Sequence, residues 1–365
     1  VSDSADFQKN SFFEWVIGTS YLELKESNLK KDDGLYGDPS DPYGPYASAS
    51  SSSSKYKSSN FSVFGNLDYL LSASLKFSIG LRWEDWEADY ADSLQESFNP
   101  TDKMSGGKIS LIKNMTNGTN MYASLAKGYK QGGFNLGLGL DANSRNKNLA
   151  YDPEFLTNYE LGINTKLLDS RVTFNGVLFY SDREDQQVLI STQTDPSDPN
   201  TFSFLTQNAA EGVNHGLEIN MDMDINEFLS AFVNLGILKT EIKNWQSRQD
   251  LEGRAQAHAP ERSYALGLNW APTSHTYLAI DFTGKSSFYY SDSHNNKSKS
   301  YMLTNLNLGY VKNNWNYELW ARNIFDEYYS VRGFYFGNEA PNFIDTLYER
   351  HGDPRHIGLS IRYDF

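Results

Sequence analysis

Leu75-Lys-Phe-Ser-Ile-Gly-Leu-Arg-Trp-Glu84 decides the fold class. Leu75, Phe77, Ile79, Leu81 and Trp83 alternate with Lys76, Ser78, Gly80, Arg82 and Glu84. Successive side chains of a strand point to opposite faces, so this segment has one apolar and one polar face. The same period of two recurs in Asn158–Asn164, in Leu217–Asp224 and in Ser263–Trp270. Alternation alone does not separate a soluble sandwich from a membrane barrel. In the first the apolar face meets another sheet; in the second it meets lipid.

The connections separate them. About fourteen strand segments can be read, near 11–26, 60–70, 75–90, 106–115, 119–133, 156–168, 171–188, 202–223, 229–244, 260–271, 275–289, 300–311, 315–329 and 354–365. Short links (Leu71–Ser74, Thr116–Gly118, Asp169–Ser170, Ile225–Phe228, Ala271–Ser274, Lys312–Asn314) alternate with long ones, near 27–59, 91–105, 134–155, 189–201, 245–259, 290–299 and 330–353. That asymmetry belongs to antiparallel transmembrane β-barrels, with short periplasmic turns and long extracellular loops. Many segments exceed the roughly 9–11 residues that cross a bilayer, so they should project beyond it. Trp83, Trp86, Tyr180, Trp270, Tyr310 and Trp315 fall where interfacial girdles are expected. Asp38–Asn60, rich in Ser, Pro and Gly, is expected to form a mobile surface loop.

Composition agrees. The 365 residues hold no cysteine, which excludes disulfides, thiolate metal sites and cysteine nucleophiles. The net charge of −14 argues against nucleic-acid binding. No apolar run approaches the roughly 18 residues of a membrane helix, whereas the aromatic share reaches 15%. Lumen-facing residues and wet loops dilute a barrel's lipid-facing ones, which accounts for a hydrophilic chain rich in Tyr and Phe.

At the C-terminus, Ile357, Leu359, Ile361, Tyr363 and Phe365 share one face and end in an aromatic residue. This resembles the signal by which a last barrel strand engages the barrel assembly machinery; the plainer alternative is an edge strand. Trp15-Val-Ile-Gly-Thr-Ser-Tyr21, Val63-Phe-Gly-Asn-Leu-Asp-Tyr69 and Ile79-Gly-Leu-Arg-Trp83 add to the likeness. So do Tyr122-Ala-Ser-Leu-Ala-Lys-Gly-Tyr-Lys-Gln-Gly-Gly-Phe-Asn135, Asn158-Tyr-Glu-Leu-Gly-Ile-Asn164, Ala321-Arg-Asn-Ile-Phe-Asp326 and Gly352-Asp-Pro-Arg355. In this order and spacing they resemble TonB-dependent receptors, over essentially the whole chain.

The resemblance implies energised import across the bacterial outer membrane, with a ferric siderophore as the expected solute. The family places an N-terminal plug inside a barrel of about 22 strands. Residues 1–365 match only the C-terminal part, about fourteen strands, with the plug and first strands expected outside it. The chain enters a strand at Phe12 with no leader pattern, so it reads as starting within a longer structure. Implied partners are the TonB–ExbB–ExbD complex through that further region, outer-membrane lipid and lipopolysaccharide, and a small-molecule ligand. Iron is expected only within the ligand; no cofactor and no metal site are expected. The solute's identity stays open.

Enzyme motifs fail. Gly284-Lys-Ser lacks the upstream glycine of a phosphate loop, since Ala279 stands there. Asp222, Asp224 and Asn226 begin like a calcium loop, but Glu227 and Val233 occupy its glycine and closing-acid positions. Gly132, Gly133, Gly137 and Gly139 suit a loop, because no helix follows. His351 and His356 flank a Gly-Asp-Pro turn, where loop hydrogen bonding is expected rather than metal ligation. No catalytic residues are expected.

Binding is expected at the loops and upper lumen. Aromatic faces beside guanidinium groups suit a large aryl or anionic ligand. Tyr329, Arg332, Phe334 and Tyr335 are the first candidates, with Arg332 as the anion contact; Tyr129, Lys130 and Phe134 come next. The alternative is an outer girdle, with Arg332 on lipopolysaccharide phosphate. Two other functions stand beside active import. A passive channel, complete at about fourteen strands, requires Phe12–Leu24 to pair with Ile357–Phe365. A soluble β-rich protein requires a catalytic or binding cluster that the sequence does not display.

Overall fold

The computed structural model describes residues 12–36, 46–93, 97–116, 118–135, 150–193, 202–245, 248–292, 294–336, 344 and 346–365. Fourteen strands follow one another in a single antiparallel sheet whose spatial order is the chain order. They are β1 (Phe13–Tyr36), β2 (Tyr46–Ser72), β3 (Leu75–Asp92), β4 (Thr101–Asn114), β5 (Asn120–Lys130), β6 (Glu154–Leu167) and β7 (Val172–Gln193), then β8 (Phe202–Asn226), β9 (Leu229–Trp245), β10 (Arg262–Thr273), β11 (Thr276–Lys285), β12 (Tyr301–Lys312), β13 (Trp315–Arg322) and β14 (His356–Tyr363). The all-β fold class and the alternation of turns and loops are borne out. Among the described residues, β1 pairs only with β2 and β14 only with β13.

Turn chemistry fixes one end of the sheet. Leu168, Asp169 and Ser170 all adopt left-handed backbone between β6 and β7, as do Gly118 before β5 and Asn313 before β13. These turns hold the register, and a one-residue slip would exchange the two faces.

The apolar face is the exposed one. Trp15, Ile17, Leu67, Leu81, Leu161, Leu178, Leu268, Leu308 and Leu319 lie open on it. In water such a surface is untenable; in a membrane it is the lipid contact. Trp83, Tyr159, Tyr180, Trp270, Tyr310, Trp315 and Tyr363 stand on the same face. The opposite, lumenal face carries short polar bridges. Lys76 meets Asp68 at 2.9 Å, Asn305 donates to Asp281 at 2.7 Å and Tyr277 donates to Glu318 at 2.7 Å. Ile357, Leu359, Ile361 and Tyr363 project from β14 on the apolar face, opposite Ala321, Leu319, Tyr317 and Trp315, and Phe365 follows, fully exposed.

Two expectations need correction. Trp86 is no girdle residue. It is 2% exposed and packs with Ala88 and Met104 on the lumenal face, because β3 turns even-numbered side chains inward. The Asp38–Asn60 loop is largely strand. The β1–β2 ladder runs unbroken from Phe13↔Tyr69 to Tyr36↔Tyr46, so the serine tract pairs with Glu23–Tyr36. Residues 37–45 lie outside the described residues. Backbone pairing needs no apolar side chain, and composition alone did not disclose it. At about 3.3 Å per residue a strand of this length measures about 80 Å, far more than the roughly 30 Å hydrocarbon layer. The hairpin therefore stands well above the membrane.

Candidate functional site

The sequence-selected residues fall into two groups at the loop end. Tyr129, Lys130 and Phe134 gather beside β3 and β4. By the β5 register Tyr129 shares the outer face with Leu125 and Lys127. The β4–β5 ladder stops at Gly107↔Lys127, and above that point the strands part. Tyr129 turns inward through the gap, its ring over Gly106, where a Cβ would sit 3.1 Å from it. Its hydroxyl donates to Glu84 Oε2 at 3.1 Å. Glu84 is buried and also accepts Asn60 Nδ2 at 2.6 Å and Arg82 Nε at 2.7 Å. Phe134 fills an aromatic box, with ring centroids 5.2 Å from Tyr90 and 5.7 Å from both Tyr56 and Phe98. Asn135 ties the loop across the lumen rim to Thr206 with two hydrogen bonds, of 2.8 and 2.7 Å. Lys130 is exposed. Tyr129 and Phe134 are thus engaged by the protein itself.

The second group is built on the connection between β13 and β14. Asn323, 4% exposed, holds its base. Its amide donates to Glu327 O at 2.9 Å and to Asp353 O at 3.1 Å, and its oxygen accepts Glu327 N at 2.8 Å. Asp326 accepts the Arg355 N–H at 2.8 Å. Above this base, Ser330–Phe336 and Thr346–His351 form a hairpin. Tyr329 lies against Tyr301, centroids 4.6 Å apart, and covers Gly352, where any Cβ would strike its ring at 2.0 Å. His351 is held through both ring nitrogens by Tyr328 and Ser330.

The hairpin has two faces of different character. One face docks. Gly333 packs on the Tyr290 ring, the Tyr290 hydroxyl donates to Glu349, and Tyr335 accepts from Asn296 and packs edge-on to His294 at 5.0 Å. Burial, reinforced by Glu349, pushes the Tyr290 phenol up to about 12. Burial lowers the pKa of His294. The loop beneath is braced by Arg254, which donates to His294 O and Asn295 Oδ1 at 2.9 Å and to Asp292 Oδ1 at 2.9 Å. Arg254 and Lys297 also lie against the Tyr289 ring at 4.4 and 4.1 Å.

The other face presents. Arg332 stands directly opposite Arg350, and Phe334 opposite Tyr348, whose rings stack at 5.9 Å. Both arginines are exposed, and among the described residues neither reaches a carboxylate. Like charges directly opposite on a hairpin oppose its pairing. Two forked guanidinium groups beside two aromatic rings can take an oxyanion on an aryl framework. Arg350 and Tyr348 were missed in the sequence. Only cross-strand register brings them to Arg332 and Phe334. Tyr335, selected for binding, belongs to the docking face instead.

The comparisons agree with this architecture. The family model described as TonB dependent receptor-like, beta-barrel matches residues 2–324. The ferric yersiniabactin uptake receptor FyuA from Yersinia pestis superposes with a TM-score of 0.76 at 18% identity, covering 98% of this chain and 52% of that one. The siderophore receptor PiuA from Acinetobacter baumannii gives 0.73 at 16%, covering 99% and 55%. The copper transporter OprC gives 0.74 at 13%, covering 99% and 56%. The chain spans about half the length of these proteins. They are transport receptors rather than enzymes, and the exposed apolar face is that of an outer-membrane protein. The chain belongs to the TonB-dependent receptor-like β-barrel family.

Proposed function

We propose that residues 1–365 are the C-terminal part of the barrel of an outer-membrane importer, with a plug and the first strands supplied by a further region. The imported solute is a large anionic, aryl-bearing iron complex, a ferric siderophore. The observation that carries this reading is the paired Arg332–Arg350 and Phe334–Tyr348 face at the loop end. Opposed guanidinium groups gain most from a ligand that brings negative charge between them. The protein contributes affinity and a path, and no covalent step. Energy enters through TonB–ExbB–ExbD acting on the plug. Lipopolysaccharide surrounds the barrel, and iron enters only inside its ligand.

A passive channel of fourteen strands is the second reading. It requires a ladder between β1 and β14, and the described pairing gives each of these strands a single, different partner. Uptake of radiolabelled ferric siderophores into cells carrying the native receptor, with and without an intact energising complex, tests the proposal. Uptake should vanish without energisation. Undiminished uptake would overturn active import.

A further inference from the structure

A line of asparagines crosses the lumenal wall. Asn114, Asn120, Asn164, Asn175, Asn220 and Asn234 are successive register partners from β4 to β9. The β4–β7 members satisfy one another, Asn120 donating to Asn114 at 2.6 Å and Asn175 donating to Asn164. Asn220 and Asn234 are exposed to the lumen, and among the described residues their side chains have no hydrogen-bond partner. They line a recess of about 640 Å³ on the same face.

In the next lumenal row towards the loops, Glu218, Gly236, Ser263, Lys285 and Tyr301 are successive partners from β8 to β12. Gly236 and Ser263 keep the middle of the recess open; a Cβ on Gly236 would sit 2.8 Å from Ser263 Oγ. Glu218 stands at one end. Lys285 stands at the other, where Tyr301 and Tyr329 close the recess. Both charged side chains are exposed, and among the described residues neither has an ion-pair or hydrogen-bond partner. Beside Glu218 lie Tyr122 and Glu160, which share a hydrogen bond of 3.4 Å and supply no cation. Elsewhere the wall pairs its charges, as in Lys76–Asp68 and Arg82–Glu84. Three strand spacings of about 4.8 Å set the backbones that carry the two unpaired charges about 14 Å apart.

We propose that this recess binds a zwitterionic peptide chain of about four residues. Its ammonium meets Glu218, its carboxylate meets Lys285, and its peptide groups meet the amides of Asn220 and Asn234. An extended chain of four residues spans at most about 13–14 Å, which matches the separation of the charges. An asparagine amide offers a donor and an acceptor, as a peptide group does, so the two can bond reciprocally. The inference rests on reading the lumen as the solute's path. It adds that the part of the solute entering the lumen is peptide-built.

Equilibrium dialysis of tetraglycine against the full-length receptor in detergent tests this. Tetraglycine should bind saturably. N-acetyl-tetraglycine and tetraglycine amide should each bind about tenfold more weakly, the effect of one lost charge-assisted contact. Diglycine, at most about 7 Å long, should do no better than either. Glu218→Gln should erase the difference between tetraglycine and its acetylated form, and keep the response to amidation. Lys285→Gln should do the reverse. No saturable binding, equal binding of capped and uncapped peptides, or cap responses unchanged in both variants would overturn the proposal. The capped series is read on the unaltered receptor, so it decides alone if a variant does not assemble. No iron, siderophore or energising complex is present, so this outcome is separate from that of the uptake experiment.

Discussion

Asn323 Nδ2 donates to the backbone oxygen of Asp353 at 3.1 Å, closing a connection of thirty residues at its base. The two residues come from separate stretches, Ala321–Asp326 and Gly352–Arg355, and the same junction contains the Asp326–Arg355 bond at 2.8 Å. Asn323 itself has left-handed backbone, which asparagine tolerates better than most residues. The Ser330–His351 hairpin is therefore carried on a hydrogen-bonded footing rather than on a free loop.

Asn323→Ala should cost about 1–3 kcal/mol, because it removes the three hydrogen bonds that this buried side chain makes to the backbone of Glu327 and Asp353. The cost should show as a lower thermal midpoint and faster amide exchange over 327–336, with β1–β8 unaffected. Unchanged exchange would remove the footing role.

Arg332→Ala and Arg350→Ala should act in opposite senses on stability and binding. Either change relieves a like-charge pair and should stabilise the hairpin by roughly 0.2–1 kcal/mol. Each should also weaken binding of an anionic siderophore by about tenfold or more, corresponding to a lost charge-assisted contact of about 1.5–3 kcal/mol. Titration calorimetry at two salt concentrations checks both arms. Binding that is insensitive to both substitutions would discard this face as the ligand contact.

Acidification should loosen hairpin docking. Burial lowers the pKa of His294, so the folded state favours the neutral ring. That contribution is complete above the unfolded value of about 6.5 and is lost as pH falls below it. Tyr290 gives the opposite limit. Its pKa is raised to about 12, so its contribution is complete below the ordinary phenol value of about 10 and is lost as pH rises towards 12. Fluorescence from a probe on the 346–351 strand, followed from pH 5 to 12, should report docking that is strongest between these limits. His294→Phe should abolish the acid limb alone.

Gly352→Ala should displace Tyr329, since the new methyl would lie 2.0 Å from its ring. Tyr329 would leave Tyr301 and alter the recess of about 640 Å³ that both rings line on the lumenal face. Transport should slow while equilibrium binding at the hairpin tip stays within twofold. Matched losses in both would place Tyr329 in binding rather than along the path.

Much of the fold was legible in the sequence because a barrel strand writes its two environments into a period of two. Leu75–Glu84 and Asn158–Asn164 needed only that rule. Trp86 misled because a tryptophan near a strand end suits a girdle equally well, and only parity assigns it inward. The serine tract of β2 misled because its pairing is made by backbone alone. At the site, Arg332 and Phe334 were legible as an arginine set among aromatics. Arg350 and Tyr348 were not, because their relation to those residues is a register across a hairpin. Tyr129 was selected for its composition, yet a local parting of β4 and β5 draws it inward.

The division of the Ser330–His351 hairpin into a docking face and a presenting face bears on how such receptors diversify. Gly333, Tyr335 and Glu349 anchor the element, whereas Arg332, Phe334, Tyr348 and Arg350 point away from the anchor. Under the proposed binding role, substitutions at Arg332, Phe334 and Arg350 should spare the anchoring contacts of Gly333, Tyr335 and Glu349, so that drift there retunes solute choice in single steps. A lineage under changing nutrient competition could thus explore new solutes on an unaltered frame.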